Sequence, residues 1–236
     1  MPRENLALPA VTGRQARAIP LIKIGIGKKL LVALTGLFLC SFLIVHLSGN
    51  LLLFKNDGGK AFEAYSEFMS TNPVIRTMEI VLFAGFLTHI IWAVSIWITN
   101  RMARPQSYAM NQPSANSTLA SRTSFLTGSI VFIFLVVHLK SFWVPARFPS
   151  GAKPSMYEIV VTAFRNPAYD LLYLVALVLL GYHLNHGFQS ALQTFGLNPG
   201  RNKWINRVAG FFWLVIPIGF AAMPIFFYWA HLKGVR

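Results

Sequence analysis

The stretch Leu34-Thr35-Gly36 leads to His46 inside a long uncharged apolar run, and the same pattern returns later in the chain. Leu126-Thr127-Gly128 leads to His138 inside another apolar run, at the same interval, since 46 − 35 = 11 and 138 − 127 = 11. An imidazole ring in hydrocarbon needs polar partners because an unsatisfied polar group is costly there. The repeat therefore indicates a duplicated unit whose histidines share one role.

A second pair of histidines follows the same rule. Asn72-Pro73 leads to His89 and Asn166-Pro167 leads to His183, again at one interval, since 89 − 73 = 16 and 183 − 167 = 16. Proline is favoured at the first position of a helix, where its missing N–H costs nothing. The sequence therefore predicts four helices, each with one histidine at a matched position.

The composition is that of a membrane protein. Of the 236 residues 55% are hydrophobic and 12% are charged, whereas about 25% of the residues in a soluble domain are charged. Five apolar stretches are long enough to cross a bilayer, which takes about 20 helical residues: 30–54, 74–99, 123–144, 168–192 and 208–230. In lipid a helix satisfies its own backbone groups. We expect an all-α integral membrane protein with a four-helix core from a duplicated two-helix unit and one peripheral fifth helix.

The basic residues predict the orientation. The net charge is +14, and most Lys and Arg lie between apolar runs, where they anchor membrane segments on the cytoplasmic side rather than bind nucleic acid. With the N-terminus inside, 12 of the 21 basic residues lie on the inner side: Arg3, Arg14, Arg17, Lys23, Lys28, Lys29, Arg101, Arg104, Arg122, Arg201, Lys203 and Arg207. We therefore expect a cytoplasmic basic arm over 1–29, a transmembrane domain over 30–230 and a short outer tail over 231–236.

Helical rise sorts the four histidines into two layers. His46 precedes Phe54 by 54 − 46 = 8 residues, which places it about 12 Å below the outer surface at 1.5 Å per residue. His89 and His183 lie 16 residues past their outer prolines, or about 24 Å inward. His46 thus pairs with His138 in an outer layer, and His89 pairs with His183 in an inner layer.

Two imidazoles facing each other at one depth in a helix bundle suit the axial ligation of a b-type haem. Two such layers predict two haems, with His46 and His138 on the outer iron and His89 and His183 on the inner iron. Hydrogen bonding across helices is the alternative use of intramembrane histidines. A proton relay is a further alternative, although relays usually add acids at mid-membrane, whereas Glu79 and Asp170 lie near the helix starts.

Four residues are candidates for the periphery of the haems: His186, Thr35, Thr127 and Arg122. His186 lies one turn after His183, and the position that matches it in the second helix is Trp92, so the repeat favours His183 as the ligand. Helix packing alone also explains the threonines beside glycines, local hydrogen bonding explains His186, and membrane anchoring explains Arg122.

Other chemistry is missing from the sequence. It contains no dinucleotide fingerprint, no phosphate-binding loop and no nucleophile elbow. One cysteine, Cys40, excludes an intrachain disulfide and a cysteine-ligated iron–sulfur cluster. The chain can therefore carry electrons, while partner subunits have to supply the reaction with a soluble substrate.

These segments resemble one family, the diheme cytochrome b subunit of succinate dehydrogenases and quinol:fumarate reductases, in its five-helix type without a second anchor chain. The resemblance covers about residues 28–230. It rests on the following segments: Leu43-Ile44-Val45-His46-Leu47 with Asn50, Pro73 to Glu79 and His89, Thr127-Gly128 with His138, and His183-Leu184-Asn185-His186-Gly187 running to Phe195-Gly196. In the family the fourth ligand stands four residues before one glycine and thirteen before another, and His183 meets both distances, since 187 − 183 = 4 and 196 − 183 = 13.

The resemblance implies a membrane anchor in the cytoplasmic membrane of a prokaryote. Flavoprotein and iron–sulfur subunits would bind on the cytoplasmic side, in a complex that forms a higher oligomer of the heterotrimer. Electrons would pass from succinate through the inner and the outer haem to a quinone, typically menaquinone. Acids in the first outer loop of the family are implicated in quinone chemistry, and Glu63 and Glu67 lie in the corresponding loop here.

One position departs from part of the family. Some quinol-oxidising fumarate reductases carry a glutamate two residues before the fourth haem ligand, and this chain has Gly181 there. The departure favours succinate oxidation. The fumarate reductase direction, the cytochrome b of another quinone-linked complex, and a haem-free structural anchor or transporter remain the alternatives.

Overall fold

A computed structural model describes residues 25–102, 119–149, 151, 155–197 and 203–234, and these residues form helices joined by short turns, without a β-strand among them. In chain order the helices are α1 (Gly25–Asn50, continued by a 3₁₀ turn, Leu51–Phe54), α2 (Lys60–Thr71), α3 (Pro73–Met102), α4 (Leu119–His138, continued by a π-helical segment, Leu139–Trp143), α5 (Val144–Arg147), α6 (Met156–Ala163), α7 (Pro167–Thr194), α8 (Lys203–Gly210, continued by a π-helical segment, Phe211–Val215) and α9 (Ile216–Leu232).

Five helical spans in the described part of the chain are long and apolar enough to cross a membrane, which confirms the predicted fold class. In order they are Gly25–Phe54, Pro73–Met102, Ser121–Arg147, Pro167–Thr194 and Lys203–Leu232, called here the first to fifth spans. The first span begins at Gly25, so the end of the predicted arm, including Lys28 and Lys29, is helical. Residues 1–24 of that arm lie outside the described residues, and the fifth span extends into the predicted tail as far as Leu232.

The first four spans form a ring. The first span packs against the second and the fourth, and the third packs against the fourth. The second and third spans meet at both ends, through stacked Trp97 and Phe125 rings 4.0 Å apart at one end and through Phe83 and Trp143 at the other. The first span therefore lies diagonally across from the third, and the second lies across from the fourth.

The fifth span lies outside this ring, against the first and fourth spans. Ile216 in it is fully buried, and Phe212 stacks on Phe188 of the fourth span. Gly181 permits this close approach, because a Cβ atom there would lie 2.8 Å from the backbone oxygen of Trp213. The π-helical segment that contains Trp213 ends just before Pro217, where a missing N–H interrupts regular α-helical bonding.

Two short helices cover one end of the ring, called here the capped end, where the first span finishes at Phe54. Helix α2 packs against α6 and against the first span. Gly49 lets the Tyr65 ring lie directly on the backbone of the first span, and the resulting burial raises the pKa of the Tyr65 phenol above its usual value. An apolar cluster that includes Phe62, Val160 and Met223 seals this end.

A buried ion pair at the capped end fixes the second span to the third. Arg147 donates through Nε and Nη2 to the two oxygens of the Glu79 carboxylate, and Trp143 Nε1 donates to the same group. Arg147 also donates to the backbone oxygen of Ser70. The side chains of Glu79 and Arg147 are 15% and 14% exposed, so desolvation makes each dependent on the other.

The two arginines that bind Glu79 differ in burial, so we expect their replacement to lower the free energy of unfolding by different amounts. The Arg76 side chain is 49% exposed, and an exposed pair of this kind contributes up to about 1 kcal/mol. Replacing Arg147 leaves the largely buried Glu79 with only Trp143 and the exposed Arg76 as partners, which costs up to about 3 kcal/mol. We expect Arg147→Gln to lower the free energy of unfolding in detergent much more than Arg76→Gln does. Equal losses in the two variants would contradict the buried pair as the dominant contact.

Gly181 gives a second stability prediction. Alanine there meets a backbone oxygen that cannot move independently, and such overpacking costs about 1–3 kcal/mol. Gly187 lies on the same helix, and a Cβ atom there would have no atom within 4 Å, so Gly187→Ala gains up to about 1 kcal/mol of helix propensity. Thermal unfolding should show Gly181→Ala less stable than the parent and Gly187→Ala no less stable; the reverse order would refute this packing.

Candidate functional site

The ring brings together the two pairs of histidines that the repeat predicts. His46 of the first span and His138 of the third face each other across one diagonal, with ring centres 5.8 Å apart. His89 of the second span and His183 of the fourth face each other across the other diagonal, at 6.5 Å. Since the two diagonals cross, the two pairs are held by four different helices. All four rings are partly buried.

These separations match those of two imidazoles bound to one metal ion. Because an imidazole nitrogen binds a metal at about 2 Å, rings on opposite sides of one ion have centres roughly 6 Å apart. Within the described part of the chain no set of three or more His, Cys, Asp or Glu side chains comes together. A haem needs only two axial protein ligands because its macrocycle supplies the other nitrogens. Each facing pair of imidazoles therefore fits the protein contribution that a haem requires.

Nδ1 contacts further distinguish the four rings. His138 Nδ1 lies 3.0 Å from the Tyr173 hydroxyl, and His89 Nδ1 lies 3.2 Å from Thr35 Oγ1. His46 Nδ1 has a long contact of 3.4 Å with Asn50 Nδ2, while the buried His183 Nδ1 has no hydrogen-bond partner among the described residues. A metal-binding histidine uses one nitrogen for the metal and anchors its ring through the other. In His138 and His89 the hydrogen bond at Nδ1 leaves Nε2 for a metal.

The glycines of the repeated motif make room for the second pair. A Cβ atom on Gly36 would lie 3.2 Å from His89 Cε1, and one on Gly128 would lie 3.1 Å from His183 Cε1. Each ring of this pair therefore rests on the backbone of the neighbouring span, at matched positions in the two halves. This packing requires a glycine at that position of the repeat. It agrees with the predicted role of these small residues, which is to permit close approach of the helices.

The other predicted periphery residues occupy different surroundings. Thr35 contacts His89, but the hydroxyl of its counterpart Thr127 donates to the backbone oxygen of Ser124. His186 is half-buried one turn beyond His183, and Arg122 is exposed near the start of the third span. Of the four candidates, Thr35 is the one that the structure brings within hydrogen-bond distance of a paired histidine.

The two predicted quinone acids both lie on α2, at the capped end. Glu63 Oε1 accepts hydrogen bonds from the Ser155 hydroxyl and from the backbone N–H of Tyr157, 2.9 Å away. Glu63 therefore binds the first turn of α6, where a carboxylate satisfies helix N–H groups that have no partner within the helix. Glu67 is one turn further along α2 and is exposed.

Tyr173 is a residue of this site that the sequence did not single out. Its side chain is 6% exposed, and the rings of Phe134, Phe142 and Phe164 surround it. Tyr173 has no counterpart in the repeated motif. The one signal in the sequence was its spacing from Tyr169, one helical turn earlier on the fourth span, which puts two phenols on one helix face.

No protein-family model, curated protein or solved structure matches this chain, so the paired histidines and their surroundings carry the functional inference.

Proposed function

We propose that this chain is the diheme cytochrome b anchor of a succinate:quinone oxidoreductase. The observation that carries the proposal is the pairing of four intramembrane histidines across two diagonals of a helix ring, at 5.8 and 6.5 Å. Each pair would supply two imidazole nitrogens, which is the full protein contribution to a bis-histidine haem. A bundle interior also excludes water around such a cofactor.

In this proposal the chain is an electron conductor within a larger enzyme. Flavoprotein and iron–sulfur subunits on the cytoplasmic side oxidise succinate, and a quinone, typically menaquinone, receives the electrons. The N-terminus lies inside, in the cytoplasmic membrane of a prokaryote, so the His89–His183 pair is the inner one and the His46–His138 pair is the outer one. The complex forms a higher oligomer of the heterotrimer.

Each haem supplies reversible one-electron transfer at its iron when it is bound. The residues of the chain bind it, orient it and keep water away. His46 and His138 would hold the outer iron, and their rings are packed among Phe42, Phe220 and Phe142. His89 and His183 would hold the inner iron.

Residues around the second pair orient the inner ligands. The contact between Thr35 and Nδ1 of His89 holds that ring, so Nε2 would be the nitrogen that binds the iron. Gly36 and Gly128 bring the two helix backbones against the rings. Lys28 donates to Ser95, about two turns beyond His89. This cation would lie on the cytoplasmic side of the inner haem, where the iron–sulfur subunit would bind.

The direction of the reaction is proposed from Gly181. A glutamate at this position, as in some quinol-oxidising relatives of the resembled family, has no space beside the backbone oxygen of Trp213, 2.8 Å from the Cβ position. The absence of an acid there supports succinate oxidation, since the fourth span then offers no carboxylate beside His183 for transmembrane proton transfer.

The ligand assignment predicts selective loss of haem. In the intact complex, His46→Ala or His138→Ala should remove one haem, and His89→Ala or His183→Ala should remove the other, because one axial nitrogen is lost in each case. The measurement is haem content per complex together with the reduced-minus-oxidised absorption spectrum. His186→Ala is the matched control on the same helix and should keep both haems.

Two outcomes would contradict this assignment. A purified complex without low-spin b-type haem bands would refute the proposed function itself. Loss of haem in His186→Ala but not in His183→Ala would identify His186, rather than His183, as the fourth ligand. Co-purification with a flavoprotein that oxidises succinate distinguishes this complex from other quinone-linked ones.

The acids of α2 predict a second effect, on quinone reduction. Glu63→Gln and Glu67→Gln remove carboxylates that can exchange protons with a quinone at the outer end, and we expect about 10²-fold or greater loss of quinone reduction in at least one of them. Steady-state quinone reduction by the intact complex is the measurement. Ser155→Ala is the structural control, because it removes a hydrogen bond to Glu63 without removing the carboxylate. Unchanged kinetics in both glutamine variants would eliminate these acids as quinone residues.

A further inference from the structure

We infer that Tyr173 is a positioning residue that sets the electron affinity of one haem, the one held by His46 and His138, through a hydrogen bond to His138. The inference rests on the proposed function, because it requires iron at that pair. Tyr173 lies on the fourth span, whereas His138 lies on the third. The helix that supplies His183 to one pair therefore also supplies a hydrogen-bond partner to the other pair.

The geometry fixes the direction of this hydrogen bond. When Nε2 of His138 binds iron, Nδ1 keeps its proton and can only donate. Its acceptor is the Tyr173 hydroxyl oxygen at 3.0 Å. The Tyr173 hydroxyl keeps its own proton, which it can donate to the Tyr169 hydroxyl at 3.1 Å. The result is a directed chain from His138 through Tyr173 to Tyr169.

The surroundings make this hydrogen bond stronger than an exposed one. Phe134 and Phe164 pack edge-on against Tyr173, with ring centres 4.7 and 5.1 Å away, and the Tyr173 side chain is almost completely buried. A hydrogen bond in such a low-dielectric environment is electrostatically stronger, and chains of hydrogen bonds reinforce one another. The apolar walls also prevent water from replacing the phenol as acceptor.

The His89–His183 pair has a different set of contacts. Thr35 contacts His89 Nδ1, and its hydroxyl donates to the backbone oxygen of Leu31 at 2.7 Å. His183 Nδ1 has no hydrogen-bond partner within the described part of the chain. The two pairs thus differ in the groups that bind their Nδ1 atoms, although the repeat makes their ligands equivalent.

This difference has a chemical consequence. A hydrogen bond donated from Nδ1 makes the ligand more basic, which favours the ferric over the ferrous iron. Tyr173 therefore lowers the reduction potential of the haem at the His46–His138 pair. We expect removal of the phenol oxygen to weaken the preference for ferric iron about tenfold, which corresponds to an upward shift of about 59 mV for a one-electron couple.

The test is a redox titration of haem absorbance in the intact complex of Tyr173→Phe, which keeps the ring and removes only the hydroxyl. The single-haem variants His46→Ala and His89→Ala assign each potential to its pair. We expect the reduction potential of the His46–His138 haem to rise by about 59 mV. Both haems should be retained, and the potential of the His89–His183 haem should not change. Thr35→Val is the matched control and should shift only the potential of the His89–His183 haem.

The outcomes separate this inference from the proposed function. A parent complex without haem refutes the proposed function, and the inference with it. Two haems whose potentials are both unchanged by Tyr173→Phe, or both shifted equally, overturn the inference alone. Loss of the His46–His138 haem in Tyr173→Phe also overturns it, because Tyr173 would then be a residue needed for packing rather than for tuning.

Discussion

An imidazole inside a membrane-spanning helix has two nitrogens to satisfy and no water to satisfy them, and the arrangement of the bundle follows from this constraint. In His138 and His89 a side chain from another span meets Nδ1. Their other nitrogens remain for a partner on the diagonal. Because diagonal helices of a ring are separated by its interior, the proposed metal cofactor would satisfy both rings of a pair from that interior.

The duplication is structural, but its two halves have diverged in detail. Gly36 and Gly128 have the same structural role, since each lets a histidine of the second pair pack against a helix backbone. Thr35 and Thr127 differ, because both hydroxyls donate to a backbone oxygen of their own helix but Thr35 also contacts His89. Because of this divergence, the two histidine pairs have the same side chains but different surroundings.

The sequence predicted the parts of the fold that depend on local pattern. Five spans and the pairing of four histidines follow from hydropathy and from intervals along single helices. The contacts that arise between helices were not predictable in this way. Tyr173 contacts His138 only because the third and fourth spans pack side by side, and α2 and α6 are 12 and 8 residues long, too short for a hydropathy signal. The first span also begins before residue 30, because Lys28 and Lys29 are tolerated in the first turns of a helix whose remainder is apolar.

The capped end shows how these contacts between helices couple the two halves. Helix α2 follows the first span, which carries His46, and α6 directly precedes the fourth span, which carries Tyr173 and His183. Glu63 joins α2 to α6 through Ser155 and the Tyr157 backbone. This carboxylate therefore connects the first span, which carries His46, to the fourth span, whose Tyr173 contacts His138. A change at Glu63 can therefore reach the His46–His138 pair through the backbone as well as through chemistry at the carboxylate. The Glu67 side chain is exposed on the same helix, so its replacement disturbs less packing. An effect on quinone reduction at Glu67 would accordingly be easier to attribute to proton exchange than the same effect at Glu63.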